Sequence, residues 1–162
     1  DPLWSRGLGD VYKRQLQLGQ QEGAELLTGG QRLELESPGY YQAPALFIGG
    51  SNAMRINREE LFAPIACVIK AGSYEEALSL VNDTRFGLTA GIMTRSLARA
   101  SHFRRNARVG CVMVNLPPAG TDYHVPFGGR GDSSYGPREQ GRSAVEFYTH
   151  VKTGYIAAGA PL

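Results

Sequence analysis

Two short segments of the chain bring together residues that could bind a ligand. In the first, Glu59 and Glu60 stand just before Phe62, ahead of the apolar run at 65–70. Carboxylates can accept hydrogen bonds from the vicinal hydroxyls of a ribose, and a phenyl ring can pack on a flat heterocycle. The segment therefore suggests contact with a nucleotide, whereas two exposed acids and a core Phe would produce the same pattern.

The second segment is the loop at 117–137, where Phe127 precedes the paired glycines Gly128 and Gly129. Paired glycines let the backbone approach a ligand or a neighbouring strand closely. Loops of this length inside a compact domain are uncommon and are usually either functional or disordered. Aromatic residues such as Tyr123 and Phe127 argue against disorder, so we take this loop as the second candidate ligand-binding segment.

Other arrangements that could carry chemistry are absent or weak. The three histidines are scattered and no pair of Cys or His has the spacing of a zinc site, so we expect no bound metal. Neither the Gly-x-Gly-x-x-Gly fingerprint of dinucleotide-binding folds nor a Walker phosphate loop occurs. The tripeptide Arg130-Gly131-Asp132 could be read by integrins, but we interpret it as a chance occurrence.

Composition and charge exclude several classes of protein. With 42% apolar and 20% charged residues among 162, the chain can bury a core and is not wholly disordered. Seventeen Lys and Arg against 15 Asp and Glu leave a net charge of +2, too small for a general nucleic-acid binder. We interpret the arginines at 99–108 as a solvated helix face and expect no nucleic-acid partner. No apolar run is long enough to cross a membrane.

The two cysteines indicate the redox environment of the protein. Cys67 and Cys111 both lie inside apolar runs, which predicts buried thiols in a reducing environment. The start of the chain lacks the basic-then-apolar pattern of a secretory leader. These two features predict a cytoplasmic protein.

The elements that must position the candidate residues are most regular in the middle of the chain. Two helices there carry capping signals, Ser73 with Glu76 in the first and Ser96 or Thr94 in the second. The strands around them are expected at 65–70, 88–93 and 111–114. The inward-facing residues of the second helix are expected to be Leu97, Ala100, Phe103 and Ala107. Alternation of strand and helix with short connections predicts a parallel α/β layer.

Weaker patterns flank this layer. Before it, we expect a helix over 16–27, a strand over 31–36 and an extended segment over 40–48 interrupted by Pro44. After the long loop, we expect a helix over 138–148 and a final strand over 150–157. The final strand has no neighbouring hairpin partner, so it pairs either far away in the sequence or with another chain.

Several segments resemble motifs of the C-terminal part of the aldehyde dehydrogenase family. Segment 60–64 is similar to its Glu-x-Phe-Gly-Pro motif, with Ala63 in place of Gly. Segment 82–91 is similar to Asn-x-x-x-(Tyr/Phe)-Gly-Leu-x-(Ala/Gly)-Gly, and 110–115 to Gly-x-Val-x-Val-Asn. Further matches in order and spacing lie at 126–129, 136–139 and 151–153. Within the family, the stretch 115–148 most resembles the 2,5-dioxovalerate (2-oxoglutarate semialdehyde) dehydrogenases.

The resemblance implies oxidation of an aldehyde, an acidic semialdehyde, to a carboxylate with NAD or NADP. In this family a Cys thiolate attacks the aldehyde, the nicotinamide accepts a hydride, and a Glu-activated water releases the acid. The resemblance implies that Glu60 holds the nicotinamide-side ribose and that Phe62 positions the nicotinamide ring. It also implies that Phe127 and Tyr123 line the aldehyde tunnel, and that the final strand joins a sheet between subunits of a homo-oligomer.

The family's nucleophilic Cys, general-base Glu and main dinucleotide-binding layer all precede the matched region. Neither cysteine of this chain matches the nucleophile's motif, so no catalytic residue is assigned. We therefore expect a fragment that is inactive alone. Its expected parts are an unmatched, unstructured lead-in at 1–15 whose native origin is left open, part of a three-layer α/β catalytic and cofactor region at 16–148, and an oligomerisation strand and tail at 149–162. The alternative is a non-catalytic module that self-associates, or pairs with a full-length subunit, through the final strand.

Overall fold

A computed structural model describes residues 8–159 of the chain, with side chains from residue 12 onward. The chain divides into two units between Thr84 and Arg85. The first unit contains α1 (Leu8–Gln21), β1 (Glu25–Thr28), β2 (Arg32–Leu33), β3 (Tyr41–Gln42), β4 (Ala45–Ile48), α2 (Arg55–Arg58), β5 (Ile65–Cys67) and α3 (Tyr74–Asn82). The second contains β6 (Thr89–Ile92), α4 (Leu97–Asn106), β7 (Cys111–Val114), a 3-10 turn (Gly131–Ser133) and α5 (Gly141–Tyr148). Across residues 8–159, no helix is both long and apolar enough to cross a membrane.

The first unit is built on a three-stranded sheet with β4 at its centre. β4 pairs antiparallel with β1 and parallel with β5, while β2 and β3 form a separate short antiparallel pair. Phe47 of β4 is fully buried, and Leu16 of α1 and Ile56 of α2 pack in the same cluster. Gly19 permits this approach, because a Cβ there would lie 2.7 Å from Cδ1 of Ile56.

Helix α1 corrects the prediction for the start of the chain. Residues 8–15 form a helix rather than an unstructured lead-in, and the helix ends at Gln21, so that 25–28 is a strand. Residues 1–7 of that prediction lie outside the described residues. Tyr12 is only 3% exposed, and its hydroxyl donates to Ala43 O at 2.6 Å. Tyr12 lies four residues before Leu16 and therefore on the same helix face. Burial raises the pKa of this phenol.

Strand β5 is shorter and less covered than predicted. The apolar run at 65–70 forms a strand only over Ile65–Cys67, and its side chains alternate between half-buried and exposed. The prediction of burial on both faces is wrong, because Ala66 and Val68 on one face are exposed while Ile65 and Cys67 on the other are half-buried. The extended segment over 40–48 is confirmed as β3 and β4, whereas the strand expected over 31–36 is reduced to β2.

The capped helix α3 forms where the sequence predicts it. Ser73 is its N-cap, and the Ser73 hydroxyl accepts a hydrogen bond from Glu76 N at 3.0 Å. The Glu76 carboxylate accepts from Gly72 N at 2.6 Å, one residue ahead of the cap. The first interaction satisfies an amide of the first helical turn, and the second holds the residue that precedes the cap.

In the second unit, α4 connects β6 to β7, and the two strands pair parallel from Thr89↔Cys111 to Ile92↔Val114. This confirms the predicted parallel crossover, and Ser96 caps α4 by accepting from Arg99 N at 3.3 Å. Phe103 and Ala107 are buried as expected, but Leu97 is 83% exposed. At 100° per residue, Leu97 lies about 120° around the helix from Phe103, so the inward orientation predicted for it is wrong.

The final strand finds no partner within the described part of this chain, and its pairing with another subunit stays a prediction. Residues 149–159 contain no helix or strand, and Val151, Tyr155 and Ile156 are 96–99% exposed. A strand exists only where its backbone groups find a partner ladder, and the described residues provide none here. The helix expected over 138–148 is present as α5, beginning at Gly141 after Gln140, whose φ is 63°.

Candidate functional site

A groove of about 350 Å³ in the first unit brings Glu60 and Phe62 together. It runs along the end of α2, the segment that follows and β5. Its lining residues are Ile56, Asn57, Glu59, Glu60, Leu61, Phe62, Ala63, Ile65 and Cys67. The two predicted cofactor residues therefore share one concave surface.

The backbone places the Phe62 ring at the rim. α2 ends at Arg58, and Glu59 is already extended at φ −100° and ψ 143°. Phe62 has φ +46°, in the left-handed region, and its side chain is 86% exposed. The alternative interpretation of Phe62 as a core residue is therefore wrong. The left-handed backbone falls on Phe62 and not on Ala63, so the Ala in place of the motif's Gly meets no left-handed constraint.

The groove combines an apolar floor with an acidic edge. Ile56 is buried and Ile65 is half-buried, while Glu59 and Glu60 are exposed. A flat ring can pack on the apolar floor and on Phe62, and carboxylates at the edge can accept hydrogen bonds from hydroxyls. The residues present therefore fit a nucleoside whose ribose lies at the acidic edge.

Long-range contacts hold the wall of this groove. The Glu22 carboxylate accepts hydrogen bonds from Arg55 N at 3.0 Å and Ile56 N at 3.3 Å, which caps the start of α2. Arg58, at the other end of α2, forms an ion pair with Asp83, with Nη2 to Oδ2 at 2.6 Å. The Arg58 guanidinium, followed by the Asn52 amide, holds the pKa of the Asp83 carboxyl below its ordinary value of 3.8. Sequence reasoning missed both contacts, because residues 25 or more positions apart leave no periodic signal.

The two thiols are half-buried rather than fully buried, which corrects the prediction in part. Cys67 lines the groove, and a Cβ at Gly50 would overlap its sulfur. The Cys111 thiol lies 3.8 Å from Gly128 O in the second unit. The described residues hold no group of three or more His, Cys, Asp or Glu side chains that could bind a metal ion.

Phe127 and Tyr123, predicted to line the aldehyde site, belong to the second unit. Phe127 is half-buried and exchanges two backbone hydrogen bonds with Glu139, at 2.8 and 2.7 Å. Tyr123 is exposed, meets the His124 ring edge-on at 5.5 Å, and accepts from Gly141 N through its carbonyl at 2.9 Å. These contacts hold both ends of a loop, and the roles of the two rings stay predictions.

Arg138 secures the turn beside Phe127, a contact that sequence reasoning missed. Its guanidinium donates to Gly128 O. Gly110, at the entry to β7, lies so close that a Cβ would overlap the same carbonyl. The loop is thus fixed to the start of a parallel strand.

The sequence and the fold match a known family of enzymes. A model of the Aldehyde dehydrogenase family matches residues 2–154, so this chain belongs to the aldehyde dehydrogenase family. The match begins at residue 2, and the expectation that 1–15 lie outside the family is therefore wrong.

Named relatives refine the comparison. The chain is 40% identical over 157 residues to the alpha-ketoglutaric semialdehyde dehydrogenase of Bacillus subtilis (strain 168), covering 96% of this chain and 32% of the relative. It is 38% identical over 143 residues to the alpha-ketoglutarate semialdehyde dehydrogenase of Haloferax volcanii, covering 86% and 30%. An indole-3-acetaldehyde dehydrogenase solved with NAD+ superposes with a TM-score of 0.83 at 36% identity, covering 93% of this chain and 30% of that one. The predicted mixed α/β aldehyde dehydrogenase fold is confirmed, and the chain spans about a third of the length of these relatives.

Proposed function

We propose that this chain forms part of a cytoplasmic, NAD(P)-dependent aldehyde dehydrogenase, in which it supplies the nicotinamide-side portion of the cofactor site. The observation that carries the proposal is the groove that Glu60 and Phe62 share. The family resemblance implies that Glu60 holds the nicotinamide-side ribose and that Phe62 positions the nicotinamide ring. The complex of a structural neighbour with NAD+ supports this class of ligand.

The chain's own residues would bind and orient the cofactor. The Glu60 carboxylate would accept hydrogen bonds from both ribose hydroxyls, and the exposed Phe62 ring would cover one face of the nicotinamide. When bound, NAD(P) supplies the hydride acceptor. Phe127 and Tyr123 would line the aldehyde tunnel. No residue near the adenosine ribose is identified, so the proposal covers both NAD and NADP.

The proposed substrate is an acidic semialdehyde such as 2,5-dioxovalerate. Support comes from the motif resemblance over 115–148 and from two relatives that are named for the semialdehyde of alpha-ketoglutarate. The nucleophile and the general base would come from the part of the family's fold that precedes the matched motifs. We therefore propose that the 162-residue chain alone reduces no NAD(P) with any aldehyde, and measurable reduction by the pure chain would contradict this.

Nucleotide titration of the pure chain tests the cofactor role of Glu60. Loss of charge-assisted hydrogen bonds, each about 1.5–3 kcal/mol, should weaken NAD+ binding about tenfold or more in Glu60→Ala. The control Glu36→Ala removes another exposed acid of the same unit, outside the groove, and should bind like wild type. Equal binding by Glu60→Ala and wild type, or no binding by wild type, would remove Glu60 from a cofactor role in this chain.

A second candidate is a non-catalytic module that self-associates, as the parent would in a homo-oligomer. The observation in its favour is the nearly complete exposure of Val151, Tyr155 and Ile156 beyond α5. Large apolar side chains that stay in water favour association with another surface.

A further inference from the structure

The wall of the groove depends on α2, a helix of only four residues. A helix this short has almost no stability of its own, so outside contacts must fix its position. Glu22 holds its first turn through two backbone amides, and Asn57 Nδ2 donates to Ser51 O at 2.8 Å. Its last residue, Arg58, reaches the C-terminal end of α3.

The contacts of Arg58 form a clamp, by which we mean Arg58, Asp83 and Asn52. Arg58 Nη1 donates to Asp83 O at 2.6 Å, and Nη2 donates to Asp83 Oδ2 at 2.6 Å. Asn52 Nδ2 donates to Leu80 O and to Asp83 O, both at 3.0 Å. The carbonyls at a helix C-terminus have no partner inside the helix. Leu80 O also accepts from Asp83 N at 3.2 Å, so the clamp adds further donors at the end of α3 and ties it to the end of α2.

We propose that Arg58 is a positioning residue for the groove, acting through its clamp on Asp83. Only Glu59 separates Arg58 from Glu60, and Phe62 follows two residues later with its left-handed backbone. Arg58 itself is outside the groove lining. Because Glu60 and Phe62 follow directly after α2, fixing the end of α2 also fixes the backbone positions from which their side chains extend. The identity of the ligand rests on the proposed function, whereas the effect on the groove does not.

The Arg58 and Asp83 side chains are 38% and 56% exposed. Ion pairs at such positions add little to global stability, because water and salt screen them. A positioning role therefore predicts a local effect on the groove that exceeds any effect on the unfolding midpoint.

The test compares Arg58→Ala, Arg58→Lys and the charge-reversed double variant Arg58→Asp/Asp83→Arg in the full chain. The readouts are amide hydrogen exchange over 59–63 and the alkylation rate of Cys67, with Cys111 in the second unit as internal reference. Arg58→Ala should raise amide exchange over 59–63 at least threefold relative to wild type. It should raise the alkylation rate of Cys67 at least threefold relative to that of Cys111. Both readouts for Arg58→Lys should lie between those of wild type and Arg58→Ala, because one ammonium group cannot form the bidentate contact. Both readouts for the double variant should return towards wild type. The control Arg142→Ala breaks the exposed pair with Glu146 and should change neither readout.

Two outcomes would overturn the proposal. One is unchanged exchange over 59–63 and unchanged Cys67 alkylation in Arg58→Ala. The other is accelerated exchange throughout residues 8–84 with a lowered unfolding midpoint, which would make Arg58 a residue of general stability. NAD+ titration separates the two proposals: if wild type binds no NAD+ while the local effects appear as expected, the cofactor role fails and the positioning role stands.

Discussion

Phe62 combines a left-handed backbone with a ring that is almost uncovered. For a residue with a Cβ, the left-handed conformation costs about 1–2 kcal/mol. Such strain persists only where the surroundings hold it, and it is found most often at functional sites. Here it turns the ring towards the rim of the groove, directly after Glu60.

A matched pair of substitutions separates this strain from the function of the ring. We expect Phe62→Gly to be more stable than Phe62→Ala by about 1 kcal/mol, because glycine adopts positive φ freely and part of that gain is lost to the greater freedom of the unfolded chain. Both variants should lose NAD+ affinity to the same extent, because both lack the ring. Urea unfolding and nucleotide titration measure the two effects, and an alanine variant at least as stable as the glycine variant would contradict the strain.

At the residue scale, the sequence identified residues within one short motif but not contacts between distant residues. Glu60 and Phe62 could be chosen from sequence because acid and aromatic stand two positions apart in one motif. Arg58 and Asp83 could not, because a surface ion pair across 25 residues depends on how α2 and α3 meet. Tyr12 was missed although it stands four positions before Leu16, because the residues around it show no clear period.

At the element scale, helices and strand pairing were predicted correctly where the sequence signal was local. The Ser73 and Ser96 caps located α3 and α4, and the short connections predicted the parallel pairing of β6 with β7. Strand lengths were harder to predict, since an apolar run becomes a strand only as far as a partner strand extends. That is why β5 ends at Cys67 and why residues 150–157 form no strand within the single chain.

The junction between β7 and the Phe127 loop allows a prediction of its own. Gly110 stands at the entry to β7, where a Cβ would overlap Gly128 O and approach Arg138 Nη1 at 2.5 Å. The carbonyl is backbone, and Arg138 and the Cys111 thiol already contact it. Neither side can move without breaking these contacts.

We expect Gly110→Ala to destabilise the second unit by about 1–3 kcal/mol, the cost of overpacking a close contact. It should also speed hydrogen exchange at Phe127 N, whose bond to Glu139 O holds the same loop. Gly154→Ala is the control, because a Cβ at Gly154 meets no atom within 4 Å. Denaturant unfolding and hydrogen exchange measure the effects, and equal stability of the two variants would show that the junction tolerates a side chain.

At the scale of the whole molecule, the chain spans about a third of its relatives yet carries many large apolar side chains in water. In the second unit the large apolar side chains that are more than 60% exposed are Met93, Leu97, Leu116, Tyr123, Tyr135, Val145, Phe147, Tyr148, Val151, Tyr155 and Ile156. Helix α5 buries none of its residues. Apolar surface of this kind is usually covered by another part of a protein or by another subunit.

The segment beyond α5 makes this expectation measurable. If it mediates association, wild-type chain should elute above its 17.5 kDa monomer mass, and Tyr155→Lys/Ile156→Lys should shift it towards the monomer. The unfolding midpoint should stay the same, because both side chains are at least 96% exposed in the single chain. Thr153→Lys is the matched control, since it adds a charge to the same segment without removing apolar surface. Light scattering coupled to size exclusion measures the mass. A monodisperse monomer of wild type at tens of micromolar would leave the exposed segment without a role in self-association, and association would then need parts of the fold that this chain does not contain.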